Sequence, residues 1–431
     1  MVEEVSSRSE TGFSRFNLRS NIQKGIDGLG FVDPRPIQTE TIPAGLAGGD
    51  VLGLAQTGTG KTAAFALPIL ERLVKDPKRG PRALIVVPTR ELAMQIHEEI
   101  KALAKFTDVK AMTIYGGVPS PQQIRALAKK PDILIVCPGR LLDLQGQGYV
   151  PLDGIEMLVL DEADRMFDMG FLPDLKRILR LLPEKRQNLM FSATMPREVR
   201  SLADEVLRDP HVVELAHSMP AETIEHALYI VRAPQKAQLL RHLLAGDDFR
   251  SAIVFLRTKH RTKRLAQQLC RAGHNAVSLE GNMTQAQRDR AMKGFRSGQY
   301  DVLVATDIAA RGLDVANVSH VINFDVPGTP DDYTHRVGRT GRAEQSGIAY
   351  TFAAVDELPN VHSIERKLKS KIPRRALPTF SPETLPVHEP RERIAQKVSR
   401  APEKKDGPSP SRRRQRSRPR RDPRKRNETT S

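Results

Sequence analysis

The chain has 431 residues, of which 28% are charged, 39% are hydrophobic and 5% are aromatic, and its formal net charge is +17 at pH 7. That length accommodates two globular domains with cores of their own, and the composition excludes a collagen, a mucin and a small disulfide scaffold. The two cysteines, Cys137 and Cys270, fit neither a disulfide framework nor a zinc site, so a reducing cytoplasmic location is expected. The longest apolar runs are strand-sized, which predicts that the chain neither spans nor binds a membrane.

Short β-branched runs alternate with helical stretches along the chain, a pattern typical of buried parallel strands with helical crossovers. The first series of predicted strands covers 51–55, 83–89, 133–137, 157–160 and 188–192. A polar stretch at 210–223 follows, and the second series covers 252–256, 276–279, 302–305, 321–324 and 349–353. Two such series predict two tandem doubly wound α/β domains, with ligands at the carboxyl ends of the parallel strands.

The predicted organisation has five parts: an extension at 1–12, a first domain at 13–215, a linker at 216–224, a second domain at 225–376 and a tail at 377–431. Within the tail, residues 401–431 contain twelve Lys/Arg and four Asp/Glu, which is +8 of the total charge of +17. This stretch is rich in Pro and Ser and has no apolar period. We therefore predict a disordered basic tail that attracts polyanions such as nucleic acid.

A phosphate-binding loop is predicted where the first strand meets the following helix. The loop reads Ala55-Gln56-Thr57-Gly58-Thr59-Gly60-Lys61-Thr62. Its glycines allow backbone N–H groups to approach phosphate oxygens, and the helix N-terminus adds partial positive charge. Lys61 is expected to hold the β and γ phosphates of a nucleotide and Thr62 to bind Mg²⁺. The alternative is an ordinary strand-to-helix turn.

Three carboxylates follow the predicted strand at 157–160, namely Asp161, Glu162 and Asp164. Carboxylates at this strand end lie beside a phosphate loop in the same sheet. Asp161 is expected to hold Mg²⁺ through its waters, and Glu162 to orient and deprotonate an attacking water. The alternative is a solvated strand end.

Together these motifs resemble the DEAD-box RNA helicases, whose name is spelled by residues 161–164, and the resemblance extends over residues 13–375. Within the family, the continuation after this motif is most like the bacterial RhlE-type group. The resemblance implies two RecA-like domains that use ATP and Mg²⁺. It also implies that Gln38 reads the adenine edge, that Phe31 stacks on the ring and that Phe13 belongs to the same element. Arg35 stands where the family usually has Thr or Ser.

The family's remaining motifs imply further roles for residues in both domains. RNA-binding roles are implied for Pro88, Thr89, Arg90, Gly116, Gly117, Pro138, Gly139, Arg140, Thr258, Arg288 and Thr306. Coupling of the nucleotide state to domain position is implied for Asp164, Ser192, Thr194 and His335. Arg339 and Arg342 are implied as arginine fingers that reach the γ-phosphate, and Asp314 as a ribose contact.

The implied activity is an RNA-dependent ATPase in which the two domains close on ATP and RNA and locally unwind a short duplex without sustained translocation. RNA would be bound through its backbone without sequence specificity. Three alternatives remain at this point: a DNA helicase on the same scaffold, an RNA-binding clamp or scaffold with secondary turnover, and an RNA chaperone in ribosome assembly. Ribosome-assembly and RNA-decay proteins are compatible partners.

Overall fold

The computed structural model describes residues 12–55, 58–215, 224–310, 318–341 and 346–376. Within these ranges the strands form two sheets in which every paired strand is parallel to its neighbour. The strands of the first sheet are β1 Val51–Leu54, β2 Ala83–Val86, β3 Ala111–Ile114, β4 Ile133–Val136, β5 Met157–Leu160, β6 Gln187–Ser192 and β7 His211–Glu214. Those of the second are β8 Ile224–Ile230, β9 Ala252–Leu256, β10 Ala276–Leu279, β11 Val302–Thr306, β12 His320–Asn323 and β13 Gly347–Ala353.

Helices connect the strands of each sheet, as parallel pairing requires. The first group comprises α1 Ser20–Gly28, α2 Pro36–Leu46, α3 Lys61–Lys75, α4 Arg90–Leu103, α5 Ser120–Leu127, α6 Pro138–Gly146, α7 Ala163–Asp168, α8 Leu172–Leu181 and α9 Arg197–Val206. The second comprises α10 Lys236–Leu244, α11 Lys259–Arg271, α12 Gln285–Arg296, α13 Asp307–Ala310, α14 Pro330–Val337 and α15 Leu358–Leu368. Short 3-10 helices cover Gly12–Phe16, Ala233–Gln235 and Val355–Glu357.

The strand order decides which strand ends are neighbours. The first sheet runs β3-β4-β2-β5-β6-β1-β7, and the second runs β10-β11-β9-β12-β13-β8. Because all strands are parallel, the residues that follow them share one carboxyl edge in each sheet. The change of winding direction between β2 and β5, and likewise between β9 and β12, is where ligands of such sheets bind.

Each sheet has a separate apolar core on each of its two faces. In the second sheet, α10 and α11 bury Leu240 and Leu265 on one face. The other face is covered by α12, α14 and α15, which bury Phe295, Val337 and Ile364. The same two-faced burial explains why most inner strands are continuous apolar runs.

The predicted fold class, two RecA-like doubly wound parallel-sheet domains, is confirmed. All ten predicted strands are present, although the one predicted at 83–89 ends at Val86. Three strands were not predicted: β3, β7 and β8. The interpretation of 210–223 as featureless was wrong for His211–Glu214, which pairs with β1. The domain boundaries stay a prediction, and β8 begins at Ile224, the last residue of the predicted linker. The predicted tail at 377–431 lies outside the described residues.

Among the residues described above, no helix is long and apolar enough to cross a membrane.

Candidate active site and RNA-binding edge

Two glycines with left-handed backbones shape the loop that leads into α3. Gly58 has a φ of 87° and Gly60 a φ of 94°, conformations that side chains with a Cβ rarely adopt. At Gly60 an added Cβ would lie 2.6 Å from Nε2 of Gln38. The backbone conformation therefore favours glycine at position 60, the residue before α3, and a side chain there would also displace Gln38.

Lys61 is the first residue of α3, and its side chain is buried at the loop. Its Nζ donates a hydrogen bond to the carbonyl of Ala55 at 2.8 Å and lies 4.0 Å from Oδ1 of Asp161. Thr62 follows it and lines the same cleft. The ammonium group and the N-terminus of α3 thus place positive charge at one point, which suits a phosphate group.

Gln38 connects the start of α2 to the phosphate loop. Its Oε1 accepts the backbone N–H of Arg35 at 2.8 Å, and its Nε2 donates to the carbonyl of Gly60 at 3.0 Å. The Arg35 guanidinium donates to the carbonyl of Gly58 at 2.6 Å. Gln38 is 3% exposed. The amide that is expected to read adenine is bound here to the protein's own backbone, so it also fixes the shape of the loop.

Two phenylalanines form an aromatic wall at the outer end of the cleft. The rings of Phe13 and Phe31 are stacked, with centroids 6.1 Å apart and an interplanar angle of 26°. Phe13 is buried, whereas Phe31 is only partly buried. Both rings line the cleft, and the contact with Phe13 helps to hold Phe31, as stacking on a purine would require.

The carboxylates after β5 are buried and held in a constrained backbone. Glu162 has a φ of 56° and a ψ of 51°, which is left-handed for a residue that is not glycine. Its backbone N–H donates to Oδ1 of Asp161 at 2.9 Å. Its Oε2 accepts a hydrogen bond from Nη1 of Arg165 at 2.7 Å, and both side chains of this ion pair are almost fully buried.

Opposite effects act on the two neighbouring carboxyl groups. Burial raises the pKa of Asp161, and the adjacent Lys61 only partly offsets this. Burial alone would also raise the pKa of Glu162, but the cations Arg165 and Lys61, with a smaller effect of Arg339, hold that pKa below its usual value. Nearby cations therefore favour the charged form of Glu162, whereas they only partly compensate Asp161.

Asp164 is bonded to the end of β6. Its backbone N–H donates to Oγ of Ser192 at 3.2 Å, and its Oδ2 accepts both the backbone N–H and the hydroxyl of Thr194, each at 2.9 Å. Oγ of Ser192 in turn donates to the carbonyl of Thr194 at 2.7 Å. Any displacement of Asp164 therefore pulls directly on the segment that follows β6.

The second domain contributes His335 and Arg339 from α14 and the turn after it. Arg339 is 5% exposed and lines the same cleft as the carboxylates. Burial, together with the positive charge of Arg165, lowers the pKa of His335, while Asp164 and Glu162 act in the opposite direction. Charges of the two domains are therefore close enough to affect one another across the cleft.

The cleft has a volume of about 1230 Å³ and is lined by both domains. From the first domain it receives the loop, the aromatic wall and the carboxylates described above. From the second it receives Arg288, Asp289, Met292 and Arg339, among others. A nucleoside triphosphate fits a cleft of this size and chemistry.

Residues proposed to bind RNA lie along the other half of the same carboxyl edge of the first sheet. They follow β2, β3 and β4, which are neighbours in the sheet, whereas the nucleotide residues follow β1, β5 and β6. Pro88 is buried, and Thr89 caps α4 by accepting the N–H of Leu92 at 3.3 Å. The Gly116, Gly117 and Gly139 backbones are exposed, and α6 begins at Pro138. This edge thus offers two helix N-termini and open backbone donors.

Two arginines assigned to RNA are engaged in this structure by other parts of the protein. Arg140 donates to Oγ of Ser120 at 2.6 Å. The guanidinium of Arg90 lies over the Tyr115 ring, 4.6 Å from its centroid, and 3.6 Å from the carboxylate of Asp289 in the second domain. Its Nε and Nη1 are buried without a hydrogen-bond partner among the described residues.

In the second domain, the corresponding residues follow β9, β10 and β11, which are again neighbours. Thr258 precedes α11 and is exposed, and Thr306 ends β11. Arg288 on α12 forms an ion pair with Glu91 of the first domain at 3.0 Å and donates to the carbonyl of Ala309 at 3.2 Å. The equivalent edges of both sheets therefore carry the proposed RNA residues.

Four predicted site residues lie outside the described ranges: Gln56, Thr57, Asp314 and Arg342. Two further residues of the site were not predicted from the sequence. Arg165 pairs with Glu162, and its spacing of three residues on a helix was an available signal. The sequence marked Arg35 only as a residue that differs from the Thr or Ser usual in the family. Its contact with Gly58 joins residues 23 positions apart.

Among the described residues, no group of three or more His, Cys, Asp or Glu side chains could hold a metal ion by itself. Mg²⁺ bound to a nucleotide needs few protein ligands, because phosphates and water supply most of its shell. Asp161 is buried without full charge compensation, and Thr62 opens on the same cleft. These two residues fit a phosphate-bound Mg²⁺.

The phosphate loop, the buried carboxylates and an arginine from a second sheet, all on one cleft, define a two-domain RecA-like nucleoside triphosphatase. A family model described as "DEAD/DEAH box helicase" matches residues 35–202, and one described as "Helicase conserved C-terminal domain" matches residues 235–344. The chain belongs to the DEAD-box family of ATP-dependent RNA helicases.

Similar proteins support this assignment over most of the chain. A DEAD-box ATP-dependent RNA helicase named CshA from Geobacillus kaustophilus is 43% identical over 86% of this chain and 79% of its own. An ATP-dependent RNA helicase named RhlB from Pseudomonas syringae pv. tomato is 43% identical over 86% of this chain and 96% of its own. S. cerevisiae Dbp5, solved with RNA and ADP BeF3, matches with a TM-score of 0.76 and 31% identity over 85% and 95% of the two chains. The likeness to the RhlE-type group stays a prediction.

Proposed function

We propose that ATP is hydrolysed in the cleft between the two domains and that RNA binding along both carboxyl edges completes this site. The observation that carries the proposal is that Lys61 and Glu162 of the first domain and Arg339 of the second domain line one cleft. A site divided in this way is active only when the two domains bring its halves together, which links hydrolysis to domain closure.

Adenine binds between the aromatic face of Phe31 and the amide of Gln38. The amide exchanges its backbone partners for the donor and acceptor on the adenine edge, which favours ATP over GTP. Asp314 contacts the ribose. The triphosphate extends along the loop at 55–62 toward Lys61, whose ammonium already points into that loop at Ala55.

Glu162 orients the attacking water and accepts its proton, because its carboxylate is buried beside the loop and charged. Arg339, together with Arg342, stabilises the negative charge that develops on the transferred phosphoryl group. Thr62, and Asp161 through water, would hold Mg²⁺, which would neutralise phosphate charge. The undercompensated carboxyl of Asp161 supports this assignment.

Asp164 transmits the state of this site to the rest of the molecule. It holds Ser192 and Thr194 after β6 and interacts electrostatically with His335 of the second domain. If RNA favours the closed arrangement, then ATP must tighten RNA binding by the same factor. Arg90 and Arg288 contact Asp289 and Glu91, respectively, so a strand bound on this edge competes with or rearranges these ion pairs.

RNA is bound through phosphates and 2′-hydroxyls, which makes the activity independent of sequence. S. cerevisiae Dbp5, similar over most of this chain, is bound to RNA and a nucleotide analogue in its solved structure. Local separation of short duplexes follows when one strand is held on the closed edge. Additional protein partners, in ribosome assembly or RNA decay, belong to the same proposal.

The experiment is Mg-ATP hydrolysis by the purified protein alone, with single-stranded RNA and with DNA of the same sequence, each repeated with Glu162→Gln. We expect strong stimulation by RNA only, and a loss of about 10²- to 10⁴-fold in the variant. Equal activity without RNA would overturn the divided site. No activity under any condition would instead favour an RNA-binding clamp without turnover.

A further inference from the structure

One segment of the second domain contains basic residues and no acidic residue. Residues 257–279 contain six Lys/Arg and no Asp or Glu. Residues 1–400, by contrast, carry a net charge of only +9, because 401–431 account for +8 of the total of +17. Outside residues 401–431, the excess of positive charge is therefore concentrated in and around α11.

The charges lie on the outer face of α11. The inner face of this helix buries Thr262, Leu265, Ala266 and Leu269 against the sheet. Lys263, Arg264 and Arg271 are exposed. Arg264 and Arg271 are seven positions apart and share one side of the helix, and Lys263 lies about 100° from Arg264 around the axis, also on the side away from the buried residues. We call these three residues the basic face of α11.

The basic face differs from the cations at the start of the helix. Arg261 pairs with Asp325 at 2.8 Å, and Lys259 donates to Oδ1 of Asn282 at 2.9 Å. Among the described residues, the side chains of Lys263, Arg264 and Arg271 form no hydrogen bond or ion pair. Like charges close together on a helix are mildly destabilising, so an unpaired cluster of this kind is best stabilised by an external anion.

The direction of α11 indicates which anion. The helix begins next to Thr258, at the carboxyl edge where the RNA residues are proposed, and runs away from that edge. Its 13 residues span about 20 Å at 1.5 Å per residue. We propose that the basic face of α11 binds the phosphate backbone of the same RNA strand where it leaves the carboxyl edge of the second domain.

This inference rests on the proposed RNA-binding edge, and it makes RNA length the deciding variable. A strand of about six nucleotides fills the edge alone, whereas one of about 25 nucleotides extends onto α11. The test compares the affinity of these two RNAs for the full chain and for the double variant Lys263→Gln/Arg264→Gln over a series of salt concentrations. Both residues are exposed, and glutamine keeps helix propensity, so the variant is expected to fold.

For the long RNA we expect roughly tenfold weaker binding at low salt and a salt slope that is smaller by about 1.4, that is about 0.7 for each removed charge. For the short RNA the affinity should stay within about twofold, because that RNA does not reach α11. The reversal Lys263→Glu/Arg264→Glu should weaken binding of the long RNA further.

The matched control is Arg366→Gln/Lys367→Gln, which removes the same charge from adjacent exposed positions of α15, on the opposite face of the same sheet. This control should leave both affinities unchanged. Equal losses of RNA affinity in the two double variants would mean that only net charge matters, which would overturn the inference. An unchanged salt slope in the α11 variant would overturn it as well. If the short RNA fails to stimulate ATP hydrolysis by the unaltered chain, the proposed RNA edge itself is wrong.

Discussion

The two ends of β5 carry carboxylates with opposite surroundings. Glu156 precedes the strand, and its oxygens accept hydrogen bonds of 2.9 Å from both Nε and Nη2 of Arg82, with Lys78 and Arg72 within 3.4 Å. These contacts, those of Arg82 first, lower the pKa of Glu156 to about 2. Asp161 lies five residues later, directly after the strand, and burial raises its pKa although Lys61, 4.0 Å away, acts in the opposite direction.

The difference indicates the role of each of these two carboxylates. At Glu156, several close cations occupy the carboxylate oxygens and stabilise the folded state. A buried carboxylate without enough positive charge destabilises the empty protein and gains on binding a cation, a trade-off typical of functional sites. The amino end of β5 therefore holds the sheet together, and its carboxyl end is prepared for ligands.

The largest effect is expected from Arg339, the cation that the second domain contributes to the carboxylates after β5. Arg339→Ala should lower kcat for RNA-stimulated ATP hydrolysis by about 10³-fold, because transition-state charge on the phosphoryl group loses a donor. KM for ATP should change much less. Steady-state kinetics with saturating RNA measure both, and a loss confined to KM would mean that Arg339 only helps to bind ATP.

Asp161→Asn separates activity from stability at the carboxyl end. We expect at least about 10²-fold lower ATP hydrolysis, since the carboxylate that holds Mg²⁺ is gone. The free energy of unfolding should stay within about 1 kcal/mol or rise, because an undercompensated buried charge has been removed. Denaturant titration beside the kinetic assay decides this, and a large loss of stability would contradict the assignment of Asp161 to ligand binding.

These contrasts also explain what the sequence could predict. The phosphate loop and residues 161–164 were predictable because each is a continuous motif at the end of an apolar strand. The roles of Arg35 and Arg165 depend on which contacts a long side chain makes, and no local pattern decides that. The pair Glu91–Arg288 joins residues 197 positions apart and requires both domains to be in place.

The three missed strands share a position in their sheets, and for two of them this position explains why the sequence did not show them. β3, β7 and β8 are edge strands of their sheets. Edge strands are covered on fewer sides, so β3 alternates in burial and three of the four residues of β7 are exposed. Neither is a continuous apolar run, and a search for buried parallel strands passes over both.

At the amino end of β5, Glu156→Gln should have the reverse effect of the Asp161 change. We expect the free energy of unfolding at pH 7 to fall by about 1–3 kcal/mol, because the buried Arg82 loses its charged partner. ATP hydrolysis at 25 °C should be unaltered, since Glu156 is remote from the cleft. Denaturant unfolding and kinetics on the same samples test both parts. An activity loss without a stability loss would contradict the prediction that Glu156 serves stability and not activity.

The pH dependence of stability tests the contribution of the Glu156 ion pair. The folded pKa of Glu156 is lowered to about 2 from an ordinary value of 4.5, so its stabilising contribution is present above pH 4.5 and is lost as the pH falls from there toward 2. The unaltered protein should therefore lose more stability across this range than Glu156→Gln does. Parallel curves for the two proteins would show that the ion pair does not contribute.

The smallest expected effect concerns the link from the carboxylates to the end of β6. Thr194→Val removes the hydroxyl that donates to Oδ2 of Asp164 at 2.9 Å but keeps the backbone N–H bond to the same oxygen. We expect a stability loss of about 1 kcal/mol and a few-fold weaker stimulation of hydrolysis by RNA, with basal hydrolysis nearly constant. Thr194→Ser restores the hydroxyl and should restore the stimulation. If both variants lose stimulation equally, shape at this position matters and the hydrogen bond does not, and the carboxyl end of β5 would then communicate with the second domain through Arg339 and His335 alone.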